Sequence, residues 1–90
     1  MEKTRIIFSH DAFEDYKYWI TQDKKTIKRI NLLIDDIVRN GYEGIGKPEM
    51  LTGNYSGFCS RRIDDKNRLI YKIEDNLVVI IACRTHYQDK

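Results

Sequence analysis

Two rhythms of apolar residues divide this 90-residue chain into a helical part and a strand part. Arg5-Ile6-Ile7-Phe8 is a short apolar run of strand type. Ser9 after it suits a helix N-cap, because its hydroxyl can accept from an orphaned N–H of the first turn. Over residues 10–21, Phe13, Tyr16, Trp19 and Ile20 recur at three- and four-residue spacing, which predicts an amphipathic helix with that stripe in the core. Asp23 is placed to cap a second helix, in which Ile27, Ile30, Leu33, Ile34, Ile37 and Val38 hold the helical period as far as Asn40. Gly41 is placed to end it. So little chain separates the helices that an antiparallel hairpin is expected.

The rhythm then lapses. Gly41, Gly44, Gly46, Pro48, Gly53 and Gly57 punctuate a stretch read as a loop, and its length of about seventeen residues exceeds the roughly 12 to 15 of ordinary unstructured connections, which favours a functional loop. Within it Lys47 and Glu49 flank Pro48, whose fixed φ restricts how the carboxylate is presented. The period next becomes two. Strands are predicted over about residues 58–63, 68–73 and 77–84, the last extending to Tyr87, with turns at 64–67 and 74–76. Segregated runs of this kind predict an α+β domain: an N-terminal strand, then an antiparallel two-helix hairpin packed on one face of an antiparallel sheet that ends in a three-strand meander. If Arg62 lies near Arg68 and Arg68 near Ala82, alternation puts Arg62, Arg68, Arg84 and His86 on one face. Leu69, Tyr71, Val79, Ile81 and Cys83 then face the helices.

Composition narrows the class. With 41% hydrophobic and 33% charged residues, one Pro and five Gly, residues 1–90 read as a single globular domain without a linker. The longest apolar run, 77–83, is far below the roughly 20 residues of a bilayer span, and no apolar signal segment opens the chain, so a cytoplasmic protein without membrane contact is expected. Cys59 and Cys83 sit in apolar strand patterns and read as buried free thiols. A net charge of +2 is too small to indicate nucleic acid by itself. Its distribution is more informative, because Glu2, Asp11, Glu14, Asp15, Asp23, Asp35 and Asp36 lie early whereas the final strands are rich in arginine.

Arg61, Arg62, Arg68, Arg84 and His86 strung along three strands, with Tyr87 after the histidine, suggest a surface for a phosphate backbone. RNA can be cut there without a metal if a base takes the 2′-hydroxyl proton, donors stabilise charge on phosphorus and an acid protonates the leaving 5′-oxygen. Glu49, Arg68 with Arg62, and His86 are of the types those three roles need. A 2′-hydroxyl requirement selects RNA over DNA, and Tyr87 can stack on a base or help place the phosphate. A solvated sheet face, or a docking patch for an acidic protein, competes with this reading, and a loop glutamate is ordinarily just hydrated. No metal or cofactor is expected. Cys59, Cys83, His10 and His86 lack the paired spacing of zinc ligands, and residues 44–48 miss the phosphate-loop pattern because proline follows the lysine. Cys83 and His86, three apart on a strand, point to opposite faces and make a poor nucleophilic pair.

At these same residues the chain resembles the YoeB/Txe toxins of the RelE superfamily, over nearly its whole length. The similar segments are Asp15-Tyr16-Lys17-Tyr18-Trp19, Lys28-Arg29-Ile30-Asn31-Leu32-Leu33-Ile34 and Glu43-Gly44-Ile45-Gly46-Lys47-Pro48-Glu49. Further along come Ser56-Gly57-Phe58-Cys59-Ser60-Arg61-Arg62-Ile63, Arg68-Leu69-Ile70-Tyr71 and His86-Tyr87. The resemblance implies a RelE-like fold and a type II toxin–antitoxin toxin, a ribosome-dependent endoribonuclease that cuts messenger RNA in the A site and halts translation. It implies Glu49 as general base, Arg68 as stabiliser of phosphate charge and His86 as general acid with Tyr87 beside it, and it matches Lys47 and Arg62 to RNA-contacting positions. It implies no cofactor. The partner it implies is an antitoxin of the YefM/Phd type, whose disordered acidic tail folds over the toxin. Operator DNA is contacted only through that complex, and homodimers are known among such toxins. Thr52-Gly53 departs from a frequent lysine and polar residue, Cys59 from a tryptophan, and Gly41-Tyr42 from proline-phenylalanine. The alternatives are a ParE-like toxin that binds gyrase, or an inactivated toxin kept as an antitoxin-binding module. A binding toxin needs neither the acid nor the base found here.

Overall fold

A computed structural model describes residues 3–85, so His86 and Tyr87 lie outside the described residues. The elements follow in the order β1 (Arg5–Phe8), α1 (His10–Gln22), α2 (Lys24–Asn40), β2 (Glu49–Met50), a 3-10 turn (Gly53–Tyr55), β3 (Cys59–Arg62), β4 (Arg68–Glu74) and β5 (Leu77–Thr85). Ser9 caps α1 as expected, its hydroxyl accepting from Ala12 N–H at 3.1 Å. Asp23 serves both helices. Its N–H closes α1 on the Trp19 carbonyl, and its carboxylate opens α2 by accepting from Lys25 N–H and the Thr26 hydroxyl. With one residue doing both jobs the helices fold back on each other, and Tyr16 donates across the pair to Asn31 at 2.7 Å.

Ile30, Leu33, Ile34 and Ile37 of α2 are buried as the period predicts, whereas Val38 is exposed. The α1 stripe is rotated from its expected position. Ala12 is fully buried, Tyr16 and Trp19 are half-buried, and Phe13 and Ile20 are 49% and 52% exposed. The reason is close packing: Cys83 Sγ of β5 lies 3.6 Å from the Ala12 carbonyl, an approach that only a small residue permits, and ranking by hydrophobicity favours the large side chains instead.

The strands form one sheet in the order β1-β5-β4-β3-β2. β3, β4 and β5 are the expected antiparallel meander, and β1 lies parallel to β5, with Arg5 opposite Leu77 and Phe8 opposite Ile80, which makes the sheet mixed. Flanked by β1 and β4, β5 is a covered strand, consistent with its unbroken apolar run.

Arg62 is opposite Arg68 as expected, but Arg68 is opposite Thr85 and not Ala82. The β4–β5 ladder shifts register on either side of Ile70, so Tyr71 meets Ile80 while Ile70 meets Ala82. Each shift adds a residue to β5 and inverts its alternation. At the hairpin Glu74 is opposite Leu77, one residue off the expected register. Val78 and Ile80 therefore join Leu69 and Tyr71 in the helix-side core in place of the expected Val79 and Ile81, and the shift beyond Tyr71 brings Cys83 to that same side. The same irregularity removes Arg84 from the face of Arg62 and Arg68. Its guanidinium stacks instead on Tyr18 of α1, 3.6 Å from the ring centroid.

Candidate functional site

On the sheet face away from the helices, pairing brings distant residues together. Glu49 of β2 is opposite Ser60 of β3, and Arg62, two residues on, is opposite Arg68 of β4. Directly opposed residues and residues two apart share a face, so the four side chains stand on one side. Lys47 joins them from the loop, and a cleft of about 210 Å³ is lined by Lys47, Glu49, Met50, Leu51, Ser60, Arg62 and Arg68. Leu51 and Ser60 are buried in its wall. Three cations thus surround one carboxylate, an arrangement suited to holding an anion next to a group that can take up a proton.

Each side chain is aimed by its own surroundings. Lys47 has a left-handed backbone (φ 50°), uncommon for a residue with a side chain and the kind of local strain that collects at working sites. The chain just before it is tied down, because Arg62 N–H donates to the Gly46 carbonyl at 2.7 Å. Arg68 is oriented by the preceding turn: its Nη1 donates to the carbonyls of Asp64 (2.8 Å) and Asn67 (3.1 Å). Asp64 itself is structural. Burial opposes its charge, yet the Asn67 and Lys66 amides outweigh that and hold the carboxyl below its ordinary range.

Past the end of β1, α1 takes over the open edge of β5. The Trp19 indole donates to the Cys83 carbonyl at 2.9 Å, and Cys83 N–H donates to Asp15 Oδ2 at 3.1 Å. Both backbone groups are thereby satisfied by side chains beyond the point where β1 ends. The strand continues to Thr85, opposite Arg68, and His86 is the next residue in sequence. Burial, reinforced by Asp15, pushes the Cys83 thiol up to about 12, so it is no nucleophile at neutral pH.

Residues 8–87 match the family of YoeB-like toxins of bacterial type II toxin–antitoxin systems. The chain belongs to the YoeB-like toxin family. Toxin YoeB of Streptomyces coelicolor is 52% identical over 83 residues, which span 92% of this chain and 99% of that one. The toxin in a heterotetrameric YoeB–YefM toxin–antitoxin complex from Staphylococcus aureus superposes with a TM-score of 0.87 at 50% identity, covering 96% of this chain and all of that one. A YoeB dimer from the same organism gives 0.89 at 50% identity over the same shares. No helix among the described residues of this YoeB-like toxin is long and apolar enough to cross a membrane.

Of the residues singled out from sequence in this YoeB-like toxin, Lys47, Glu49, Arg62 and Arg68 line the one cleft, Arg84 is elsewhere, and His86 and Tyr87 lie outside the described residues. One residue escaped the sequence reading and one was misassigned by it. Ser60 lines the cleft at the position opposite Glu49, and Arg61, expected on the phosphate surface with Arg62, is instead fully buried behind it. The alternation that sends Arg62 outward sends Arg61 inward, so parity alone could have separated the two.

Proposed function

We propose that this YoeB-like toxin is a ribosome-dependent endoribonuclease that cleaves messenger RNA in the A site and so inhibits translation. The observation that carries the reading is the convergence of Glu49 with Lys47, Arg62 and Arg68 in one polar cleft. Glu49 takes the proton of a 2′-hydroxyl, whose oxygen attacks the adjacent phosphorus. Arg68, with Arg62, stabilises the charge that gathers on the phosphoryl oxygens, and His86 gives a proton to the departing 5′-oxygen. A cyclic 2′,3′-phosphate and a 5′-hydroxyl result, and the chemistry uses acid and base without a metal or cofactor. Lys47 and Arg62 bind the backbone and Tyr87 places the base or phosphate. The ribosome and its A site enter through the family likeness.

The partner is an antitoxin of the YefM type, as in the Staphylococcus aureus complex, and the cationic cleft suits an acidic tail laid across it. Operator DNA is met through that complex, and the free toxin pairs with itself as the Staphylococcus aureus relative does. Primer extension on a translated message, with and without ribosomes, tests the reading. Cuts at A-site codons are expected from the wild type, and Glu49→Ala or His86→Ala should abolish growth arrest and lower cleavage to a small residual rate while leaving antitoxin binding intact. Undiminished cutting by both variants refutes the assignment. Arrest without cuts would indicate a ParE-like binding toxin, and neither arrest nor cuts an inactive antitoxin-binding module.

A further inference from the structure

Arg61 is one residue from Arg62 in β3, and the pleat turns it into the protein, where its side chain is fully buried. A guanidinium tolerates such a place only if its donors are met. Nε donates to the Tyr71 hydroxyl at 3.1 Å, and Nη1 to the Asp36 carboxylate and to the Ile45 carbonyl at 3.0 Å. Nη2 donates to the carbonyls of Gly41 and Glu43, each at 2.8 Å. Five donors find five acceptors, and three of these are carbonyls of alternate residues in the loop that leads to Lys47 and Glu49. Asp36 of α2 completes the clasp by accepting Ile45 N–H at 3.1 Å. Burial works against the Arg61 charge, but the Tyr71 hydroxyl and the Asp36 carboxylate outweigh it. The loop is seated directly against this clasp, since a Cβ on Gly44 would stand 1.9 Å from Asp36 Oδ2.

We infer that Arg61 is a positioning residue for the cleavage site: it holds loop 41–45 from inside the protein so that Glu49 emerges on the far side of β3, facing Arg62 and Arg68. The inference rests on Glu49 being the base. The two arginines divide the work, Arg62 meeting the substrate and Arg61 fixing the backbone that aims the carboxylate. Ordering of this kind matters because a misplacement of about 1 Å in a reacting group can cost on the order of a hundredfold in rate.

The test is a double-variant cycle read by single-turnover cleavage of ribosome-bound message, with folding checked by circular dichroism. Gly44→Ala displaces the exposed loop without opening the core, and Arg61→Lys keeps the buried charge while losing the fork. Gly44→Ala is expected to fold, to need the same concentration of ribosome-bound message, and to cleave about a hundredfold more slowly. Arg61→Lys should do likewise where it folds, and Gly44→Ala carries the test where it does not. In a Glu49→Ala background the loop variant should cost nothing further, because it acts through that carboxylate. Wild-type rates in Gly44→Ala, or losses that multiply in the double variant, overturn the positioning role while leaving the nuclease reading intact. Wild-type rates in Glu49→Ala remove the base assignment itself, and the positioning role falls with it.

Discussion

Tyr71→Phe removes one oxygen atom from the clasp and leaves everything else in place. Tyr71 is fully buried in β4, its ring stacked on Tyr42 with centroids 5.8 Å apart and planes at 22°. Its hydroxyl accepts from Arg61 Nε at 3.1 Å and donates to the Gly41 carbonyl at 2.9 Å. Phenylalanine keeps the ring and the stacking, so no cavity of consequence opens. Gly41 still accepts from Arg61 Nη2, but Nε–H loses the Tyr71 oxygen that accepts from it in a dry place. An unmet buried donor costs about 1 to 3 kcal/mol, and the charge on this one puts it in the upper half of that range. With a urea slope of about 1 kcal/mol per molar for a chain of this size, the unfolding midpoint should fall by about 2 M at unchanged slope. Tyr16→Phe is the matched control, since it deletes an exposed hydroxyl bonded to Asn31 and should cost about 1 kcal/mol or less. Burial pushes the Tyr71 phenol well above its ordinary range, so the hydroxyl is protonated at any working pH and the deficit should not change between pH 6 and 8. A midpoint for Tyr71→Phe no lower than that of Tyr16→Phe would mean that water reaches the guanidinium and that the clasp is not sealed.

Acid should loosen the same network. The Arg61 bond holds the Asp36 carboxyl below its usual 3.8, so its stabilisation is present above that value and is lost as pH falls through the depressed one. Urea midpoints measured from pH 6 downward should fall more steeply for the wild type than for Asp36→Asn below about pH 4, and parallel curves would contradict the linkage. Salt should weaken RNA binding in proportion to the cations of the cleft. For a short single strand with a 2′-deoxy scissile residue, three phosphate contacts from Lys47, Arg62 and Arg68 give a log–log slope of about −2. Arg62→Gln should flatten that slope by about 0.7, and an unchanged slope would take Arg62 off the substrate.

The helices were legible because their signals are local. Ser9, Asp23 and Gly41 each cap within a few residues of themselves, and α2 repeats its apolar residues over four turns. What failed was rotation and register, which depend on contacts between elements. Nothing near Phe13 or Ile20 in sequence says that α1 must come close enough to β5 for Ala12 to be the inward residue. Nothing in a run of Leu, Val and Ile marks where β5 gains its extra residues, since apolar side chains satisfy either face until the ladder is built. Arg84 was misplaced by that step alone. Similarly, β2 is two residues long and has no period to detect, so Glu49 read as part of a loop although the sheet holds it opposite Ser60.

The cleft was more legible than the support behind it, and the adjacent pair Arg61 and Arg62 shows why. Chemistry that requires a carboxylate and guanidiniums can be named from residue types, because solvent-facing groups are judged by what they offer a substrate. A buried guanidinium is judged by what it receives, and three of its five acceptors here are backbone carbonyls from residues 41, 43 and 45, identical in every protein and silent in composition. Only the pleat separates the two side chains. Arg62, turned out, lines the cleft with Arg68; Arg61, turned in, stands among Leu33, Tyr71 and the loop, where Gly46 has its would-be Cβ 2.9 Å from Leu33. Gly41, Gly44 and Gly46, which made the start of the segment look irregular, are therefore what lets its carbonyls close around a single cation. A loop of this composition acquires one shape from its buried ligand, and the carboxylate it delivers to the surface is as well aimed as that internal charge is well met.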